Sequence, residues 1–421
     1  MKVGLQLALN DAHIDATQSS TQRQLSLAVS AISTEQDRNV TLNLCLILDH
    51  SGSMQGRPLE KVKQAAVSLI GQLSQGDRIS VVAFDHKAKV IVPNQVIDNL
   101  EDVKKRIEKL AADGGTAIDQ GLKLGIEEVA KGKRETVSQI FLLTDGENEH
   151  GSNPRCLKLA KMGAEYNLTL NTLGFGNHWN QDLLEEVADI GGGTLCYIEQ
   201  PEEANQVFGR LFKRAQSVGL TNAYLRLSLM PKIRLAELKP VAQVAPETIE
   251  LPVQQQEGSF VVRLGDLMTD VERVIMTNLY IGQLPEGRQV IADVQVIYDD
   301  PGTGQTGLLS QPFEVLVNVQ AQYQPAPNAE VQKFVLALAK YRQTQIAEAK
   351  LQQGDRSGAA TMLQTAAKTA LQMGDQGAAT VLQTSATRLQ SGQELSEADR
   401  KKTRIVSKTI LQDHDSAKGK E

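Results

Sequence analysis

The chain has 421 residues, of which 41% are hydrophobic and 22% charged, and its formal net charge is −6. This length exceeds that of one ordinary domain, so about two to three domains are expected. The negative charge balance gives no electrostatic reason for nucleic-acid binding, and we expect none.

The N-terminal sequence MKVGLQLALNDAHIDATQSS lacks the long apolar core and the small-residue cleavage site of a secretory signal. No later stretch is long and apolar enough to span a bilayer, so we expect a cytoplasmic protein without a transmembrane segment. The three cysteines lie in apolar or amphipathic runs, which predicts small buried side chains rather than disulfides or zinc ligands.

The N-terminal flank has apolar residues at alternate positions in two segments, KVGLQLALN and QRQLSLAVSAI. This period of two is typical of half-buried antiparallel strands. Further segments of the same kind, separated by Pro, Gly and Asp turns, fill residues 219–322. Two strands alone would not be stable, so we predict one discontinuous β-sandwich formed by residues 1–37 and 217–323.

Between these flanks, residues 38–216 alternate apolar strand segments with amphipathic helix segments. The strands are nearly continuous apolar runs, as parallel strands covered on both faces require; they are predicted at 42–49, 78–85, 139–145, 168–176 and 193–199. The pattern predicts a doubly wound, Rossmann-like parallel sheet with helices on both faces, inserted in the sandwich.

After the linker QPAPN (324–328) the composition changes to Ala, Gln, Lys and Leu without strand signals. GAATMLQTAA (358–367) and GAATVLQTSA (377–386) repeat at an offset of nineteen residues, which favours stacked helical hairpins. We predict a helical bundle over 328–412 and a disordered tail over 413–421.

Three loops of the α/β domain carry oxygen-bearing side chains: Asp49–Ser53, Asp113–Thr116 and Thr144–Glu147. Each loop alone is explained as a helix cap or a turn. Together they place two carboxylates and three hydroxyls at the carboxyl edge of one sheet, where ligands bind in such folds. The carboxylates are those of Asp49 and Asp145, and the hydroxyls are those of Ser51, Ser53 and Thr116. An all-oxygen set suits a hard divalent cation, with Mg²⁺ favoured and Ca²⁺ or Mn²⁺ as alternatives.

The charges of this set also favour a cation. Two carboxylates about 4 Å apart repel by roughly 4 kcal/mol at an effective dielectric near 20, so Asp49 and Asp145 favour a dication between them. Because the other three side chains are neutral hydroxyls, the dication keeps enough positive charge to accept one more anionic oxygen. A Glu or Asp of a protein partner is the expected sixth ligand.

The motif DHSGS, together with Thr116 and TDGE, resembles the metal-ion-dependent adhesion site of von Willebrand factor type A and integrin inserted domains. The D-x-S-x-S element is the specific part, and the resemblance covers residues 40–215 of a bacterial-type multidomain protein. It implies that Ser51, Ser53 and Thr116 ligate the metal directly, while Asp49 and Asp145 bind it directly or through waters. The insertion in a sandwich resembles the integrin β-subunit in architecture only.

These features predict a non-enzymatic adaptor or scaffold that binds an acidic residue of a partner through the metal, without catalytic residues. The alternative is a Mg²⁺-dependent phosphotransferase or phosphatase of the haloacid dehalogenase type, with Asp49 as nucleophile. That mechanism needs a second acid two residues later, where Ser51 stands. His50 and Glu147 are predicted as rim residues, and Trp179 either lines the binding face or packs on its own domain.

Overall fold

The computed structural model describes residues 2–32 and 40–409. Three strands precede the α/β region and belong to the sheets of the sandwich described below: β1 (Val3–Leu9), β2 (His13–Asp15) and β3 (Ser20–Ala31). The predicted tail 413–421 lies outside the described residues.

The α/β region contains one six-stranded sheet in the order β6-β5-β4-β7-β8-β9. Its elements are β4 (Thr41–Asp49), α1 (Arg57–Ile70), β5 (Arg78–Phe84), β6 (Ala88–Val96), α2 (Leu100–Glu108), α3 (Ile118–Lys131), β7 (Thr136–Thr144), α4 (Asn153–Glu165), β8 (Thr169–Phe175), α5 (Gln181–Gly191), β9 (Gly192–Ile198) and α6 (Ala204–Gln216). All neighbouring strands are parallel except β6, which runs antiparallel to β5. The predicted Rossmann-like sheet is therefore confirmed, with one antiparallel edge strand that the sequence did not predict.

Both faces of this sheet are covered. Successive side chains of β4 enter different cores, with Leu44 and Leu46 on the face packed by α1 and α6, and Cys45 and Ile47 on the face packed by α3, α4 and α5. This double burial explains why the strands read as continuous apolar runs. All three cysteines are free, and Cys196 is half-buried while the other two are buried.

The sandwich consists of two sheets with strands from both flanks of the α/β domain. Its remaining strands are β10 (Val218–Leu229), β11 (Ile233–Leu235), β12 (Val241–Ala245), β13 (Ile249–Glu250), β14 (Val253–Gln256), β15 (Ser259–Met268), β16 (Arg273–Gly282), β17 (Gly287–Asp300), β18 (Gln305–Leu309) and β19 (Phe313–Gln320). One sheet has the order β1-β3-β16-β12-β13 with β11 on β16, and the other β14-β15-β10-β17-β19-β2 with β18 on β17. Because β3 pairs with both β1 and β16, the N-terminal flank is part of the same sheet as the later strands.

The C-terminal region is helical, as predicted, with α7 (Ala329–Gln352), α8 (Arg356–Gln372), α9 (Gln376–Gln390) and α10 (Glu397–Lys408). The two sequence repeats form α8 and α9, each capped by the aspartate that precedes it. Alanines fill most of the core between these helices, which lets the helices pack closely. No helix in the described ranges is both long and apolar enough to cross a membrane. The exact domain boundaries remain predictions.

Candidate metal centre

The first loop of the site follows β4, a central strand of the sheet. Asp49 is the last residue of β4 and is completely buried. One of its carboxylate oxygens accepts the backbone N–H of Ser51 at 2.8 Å, and the other accepts the hydroxyl of Thr144 at 2.5 Å. Both oxygens are therefore fixed in direction by donors from two different loops.

Hydroxyls of the same loop lie above this carboxylate. Ser51 Oγ and Ser53 Oγ are 3.1 Å apart, and Ser53 Oγ donates to Asp145 Oδ1 at 2.7 Å. Adjacent ligands of an octahedral Mg²⁺ ion, each about 2.1 Å from the metal, lie about 3 Å from one another. The two distances between these three oxygens thus fit two adjoining edges of such a coordination shell.

Thr116 completes the set from the second loop and is also buried. Its Oγ1 lies 3.2 Å from where a Cβ at Gly146 would be, so glycine at 146 leaves room for the hydroxyl beside Asp145. Backbone hydrogen bonds hold the loops together: Gly52 N–H donates to Gly114 O, and His150 N–H donates to Thr116 O, each at 2.9 Å. Hydrogen bonds therefore connect four of the five predicted residues, and Thr116 lies beside Gly146, the neighbour of Asp145.

The site is buried at its base and open at its rim. Asp49, Ser51 and Thr116 are buried, whereas Asp145 is half-buried and Ser53 is exposed. The pKa of Asp49 is raised to about 6, mainly by burial; the hydrogen bonds from Ser51 and Thr144 lower it, and the nearby Asp145 carboxylate contributes to the rise. Burial also raises the pKa of Asp145. Both carboxylates are thus destabilised as anions, a condition that a bound dication would relieve.

The donor set fits a hard divalent cation. It consists of carboxylate and hydroxyl oxygens, and its open side faces solvent at Ser53. The ring of His50 contacts the segment that leads into the second loop, with Nδ1 3.0 Å from Ala111 O. Glu147 accepts a hydrogen bond from Asn180 at 2.9 Å. We call the five residues Asp49, Ser51, Ser53, Thr116 and Asp145 the cup. His50 and Glu147 lie in its loops and contact other groups, consistent with the predicted rim positions.

The structure adds one residue to the predicted site and decides the role of another. Thr144 bonds to Asp49 but was not predicted as a site residue, because its role depends on the pairing of β4 with β7. Trp179 is only 2% exposed, and its Nε1–H donates to Gly176 O at 2.8 Å. It packs on its own domain, which decides between the two predicted roles.

Two family models match the sequence. Residues 43–210 match the von Willebrand factor type A domain, and residues 329–413 match the Sll0103-like, C-terminal alpha-helical domain. Among solved structures, a von Willebrand factor type A protein from Catenulispora acidiphila is similar over 98% of this chain and 97% of that chain, with a TM-score of 0.80 and 17% identity. The ArnB paralog VWA2 from Sulfolobus acidocaldarius covers 97% of this chain and 98% of its own, with a TM-score of 0.59 and 16% identity. At these identities the likeness concerns the fold.

Protein relatives extend the comparison. YfbK of Escherichia coli is 29% identical over 170 residues, which are 39% of this chain and 30% of that protein. The Synechocystis sp. protein sll0103, described as uncharacterized, is 61% identical over 412 residues, or 98% of each chain. Because this identity spans both chains, the protein belongs to the family of sll0103-like proteins, which combine a von Willebrand factor type A domain with a C-terminal helical domain.

Proposed function

We propose that the protein is a cation-dependent adaptor or scaffold, which binds one divalent ion at the five-residue cup and uses it to hold an acidic residue of a protein partner. The observation that carries this proposal is the solvent-open cup of oxygens, with Asp49 at its buried base and Ser53 at its exposed rim. We favour Mg²⁺, with Ca²⁺ or Mn²⁺ as alternatives, and a cytoplasmic location.

In this proposal Ser51, Ser53 and Thr116 hold the cation directly. Asp49, fixed by the Ser51 N–H and the Thr144 hydroxyl, supplies negative charge from below, directly or through waters. Asp145 supplies the second charge from the opposite loop. When bound, the cation offers an electrophilic position to one further anionic oxygen. Since two carboxylates only balance a dication, a partner Glu or Asp is the natural ligand there.

The phosphotransferase alternative receives less support from the same geometry. A nucleophilic aspartate needs a free oxygen that faces the substrate. Both oxygens of Asp49 accept hydrogen bonds and the residue is completely buried. Ser51, in the position that would hold the general acid, cannot act as a carboxylic acid. We therefore propose binding rather than catalysis.

The test compares Ser53→Ala with Ser152→Ala in the full chain. Ser53 donates to Asp145, whereas Ser152 is also exposed and makes no capping hydrogen bond with its side chain. Titration calorimetry with Mg²⁺, Mn²⁺ and Ca²⁺ should show one site in the wild type and in Ser152→Ala, and weaker binding in Ser53→Ala. Proteins captured from lysate with Mg²⁺ should elute with chelator. Undiminished cation binding by Ser53→Ala would reject the assigned site.

A further inference from the structure

The last helix, α10, contacts the von Willebrand factor type A domain through a row of basic side chains. Arg404 pairs with Asp182 and, at 3.1 Å, with Glu185 of α5. Lys408 follows four residues later and pairs with Glu185 at 2.7 Å and with Asp189 at 3.0 Å. Residues three or four positions apart share one helix face, so the two helices present matching rows of opposite charge.

This ionic contact is largely shielded from solvent. Lys408 is 9% exposed and Glu185 is 6% exposed. Burial by itself lowers the pKa of Lys408, but the neighbouring Asp189 and Glu185 outweigh it and raise the pKa above the ordinary lysine value. Arg404 also reaches Glu348 of α7 at 3.2 Å. Removing one of these side chains would leave its buried partners without an opposite charge. The ion pairs therefore favour the arrangement in which α10 is packed against α5.

Earlier in α10, a third basic residue contacts the loop that precedes α5. Lys401 is 4% exposed; its Nζ donates to Asn177 O at 2.5 Å and lies 4.2 Å from the centre of the Trp179 ring. This loop, residues 176–180, therefore has the helical domain on one side.

On its other side the same loop contacts the candidate metal centre. Asn180 Nδ2 donates to Glu147 Oε2 at 2.9 Å, and Glu147 stands two residues after Asp145. Asn180 also caps α5 by accepting the backbone N–H of Leu183 at 3.0 Å. One side chain thus connects the start of α5 with the third loop of the cup.

We propose that α10 of the helical domain positions the Asp145–Glu147 loop through loop 176–180 and α5, so that docking of the helical domain and cation binding are coupled. This inference depends on the proposed cation site. Its consequence is reciprocal: release of α10 weakens cation binding, and cation binding stabilises the docked helix. A partner that contacts α10 would then change the affinity of the metal face.

Two variants of the full chain test the coupling, each at a different step. Arg404→Gln removes the central member of the charge row; its matched control is Arg356→Gln, which breaks the exposed Arg356–Glu394 pair within the helical domain. Asn180→Ser keeps a good helix cap but is too short to reach Glu147. Mg²⁺ affinity is measured by calorimetry, and protection of α10 by hydrogen exchange with and without Mg²⁺.

We expect Mg²⁺ affinity on the order of fivefold weaker in Arg404→Gln and in Asn180→Ser, and unchanged in Arg356→Gln. In the wild type, Mg²⁺ should increase the protection of α10. Wild-type affinity in Asn180→Ser, or in a folded Arg404→Gln, would overturn the coupling. If Arg404→Gln does not fold, Asn180→Ser decides alone. Absence of Mg²⁺ binding by the wild type would instead reject the proposed function.

Discussion

Replacing Asp49 by Asn should make the protein more stable without cation and unable to gain stability from it. The ordinary carboxyl pKa is 3.8, whereas burial raises that of Asp49 to about 6. Because this pKa is higher in the folded state than in the unfolded state, protonated Asp49 favours the fold. This contribution to stability is complete below the unfolded pKa of 3.8 and is lost as the pH rises through the folded pKa of about 6. At pH 7.5 the ionised Asp49 therefore lowers the free energy of unfolding by about 3 kcal/mol.

Asparagine cannot ionise, so Asp49→Asn lacks this cost. Its amide keeps an oxygen for the Ser51 N–H, but the hydrogen bond from Thr144 is disturbed, at a cost of about 1 kcal/mol. The variant should thus gain about 2 kcal/mol without cation, which corresponds to an increase in Tm of about 4–8 °C for a domain of this size. Mg²⁺ at about a thousand times its Kd adds about 4 kcal/mol to the wild type and nothing to the variant.

The order of stability should therefore reverse between chelator and Mg²⁺. Calorimetric melting of both proteins in EDTA and in excess Mg²⁺ measures it. Asp113→Asn is the matched control, since Asp113 is an exposed aspartate in the second loop. A variant that melts below the wild type in EDTA, or that gains stability from Mg²⁺, would refute the assignment of Asp49 as a buried charge that the cation stabilises.

Further predictions concern the cup, the sheet and the helical core. Thr116→Val removes one hydroxyl and should weaken Mg²⁺ binding about tenfold or more in calorimetry without changing the circular dichroism spectrum; equal affinity would exclude Thr116 as a ligand. Since Mg²⁺ binds ionised Asp49, whose pKa burial raises to about 6, Mg²⁺ affinity should be about tenfold lower at pH 5 than at pH 7.5; a flat profile would contradict this. A Cβ in Gly193→Ala would overlap the backbone oxygen of Leu170, so denaturant unfolding should show a loss of about 3 kcal/mol. Ala366→Leu overpacks the alanine core and should destabilise the helical domain by about 2 kcal/mol, whereas an unchanged transition would mean that this core is loosely packed.

Strands buried on both faces were predictable because most of their residues are apolar. β4, β7 and β8 fall within a few residues of their predicted bounds. β6 was missed because it is the edge strand, half-exposed, with Pro93 and polar residues that conceal its period. β2 has only three residues and is stabilised by pairing with β19, some 300 residues away. Such pairing leaves no local signal.

The site also has some residues that the sequence predicts and one that it does not. The spacing of Asp49, Ser51 and Ser53 is local, so the first loop was readable from the sequence. Thr144 reaches Asp49 only because Leu48 pairs with Leu143, which places the next residue of β7 beside the end of β4. A register between distant strands is set by packing and cannot be read from either segment alone.

The charge row between α5 and α10 shows a third kind of limit. In the sequence, each helix has three like charges at helical spacing, a pattern typical of an ordinary solvated helix face. The acidic set is Asp182, Glu185 and Asp189, and the basic set is Lys401, Arg404 and Lys408. The pairs Arg404–Asp182 and Lys408–Asp189 each span more than 200 residues of sequence. In the structure Glu185, Lys401 and Lys408 are buried, Asp189 and Arg404 are half-buried, and Asp182 stays exposed.

Crystals of the full chain grown with Mn²⁺ and measured at the manganese absorption edge test the central claim most directly. We predict one anomalous peak about 2.0–2.6 Å from hydroxyl oxygens of Ser51, Ser53 and Thr116, between Asp49 and Asp145, and its absence in crystals of Asp49→Asn. A peak elsewhere on the chain, or no peak at saturating Mn²⁺, would contradict the proposed metal centre and the function that depends on it.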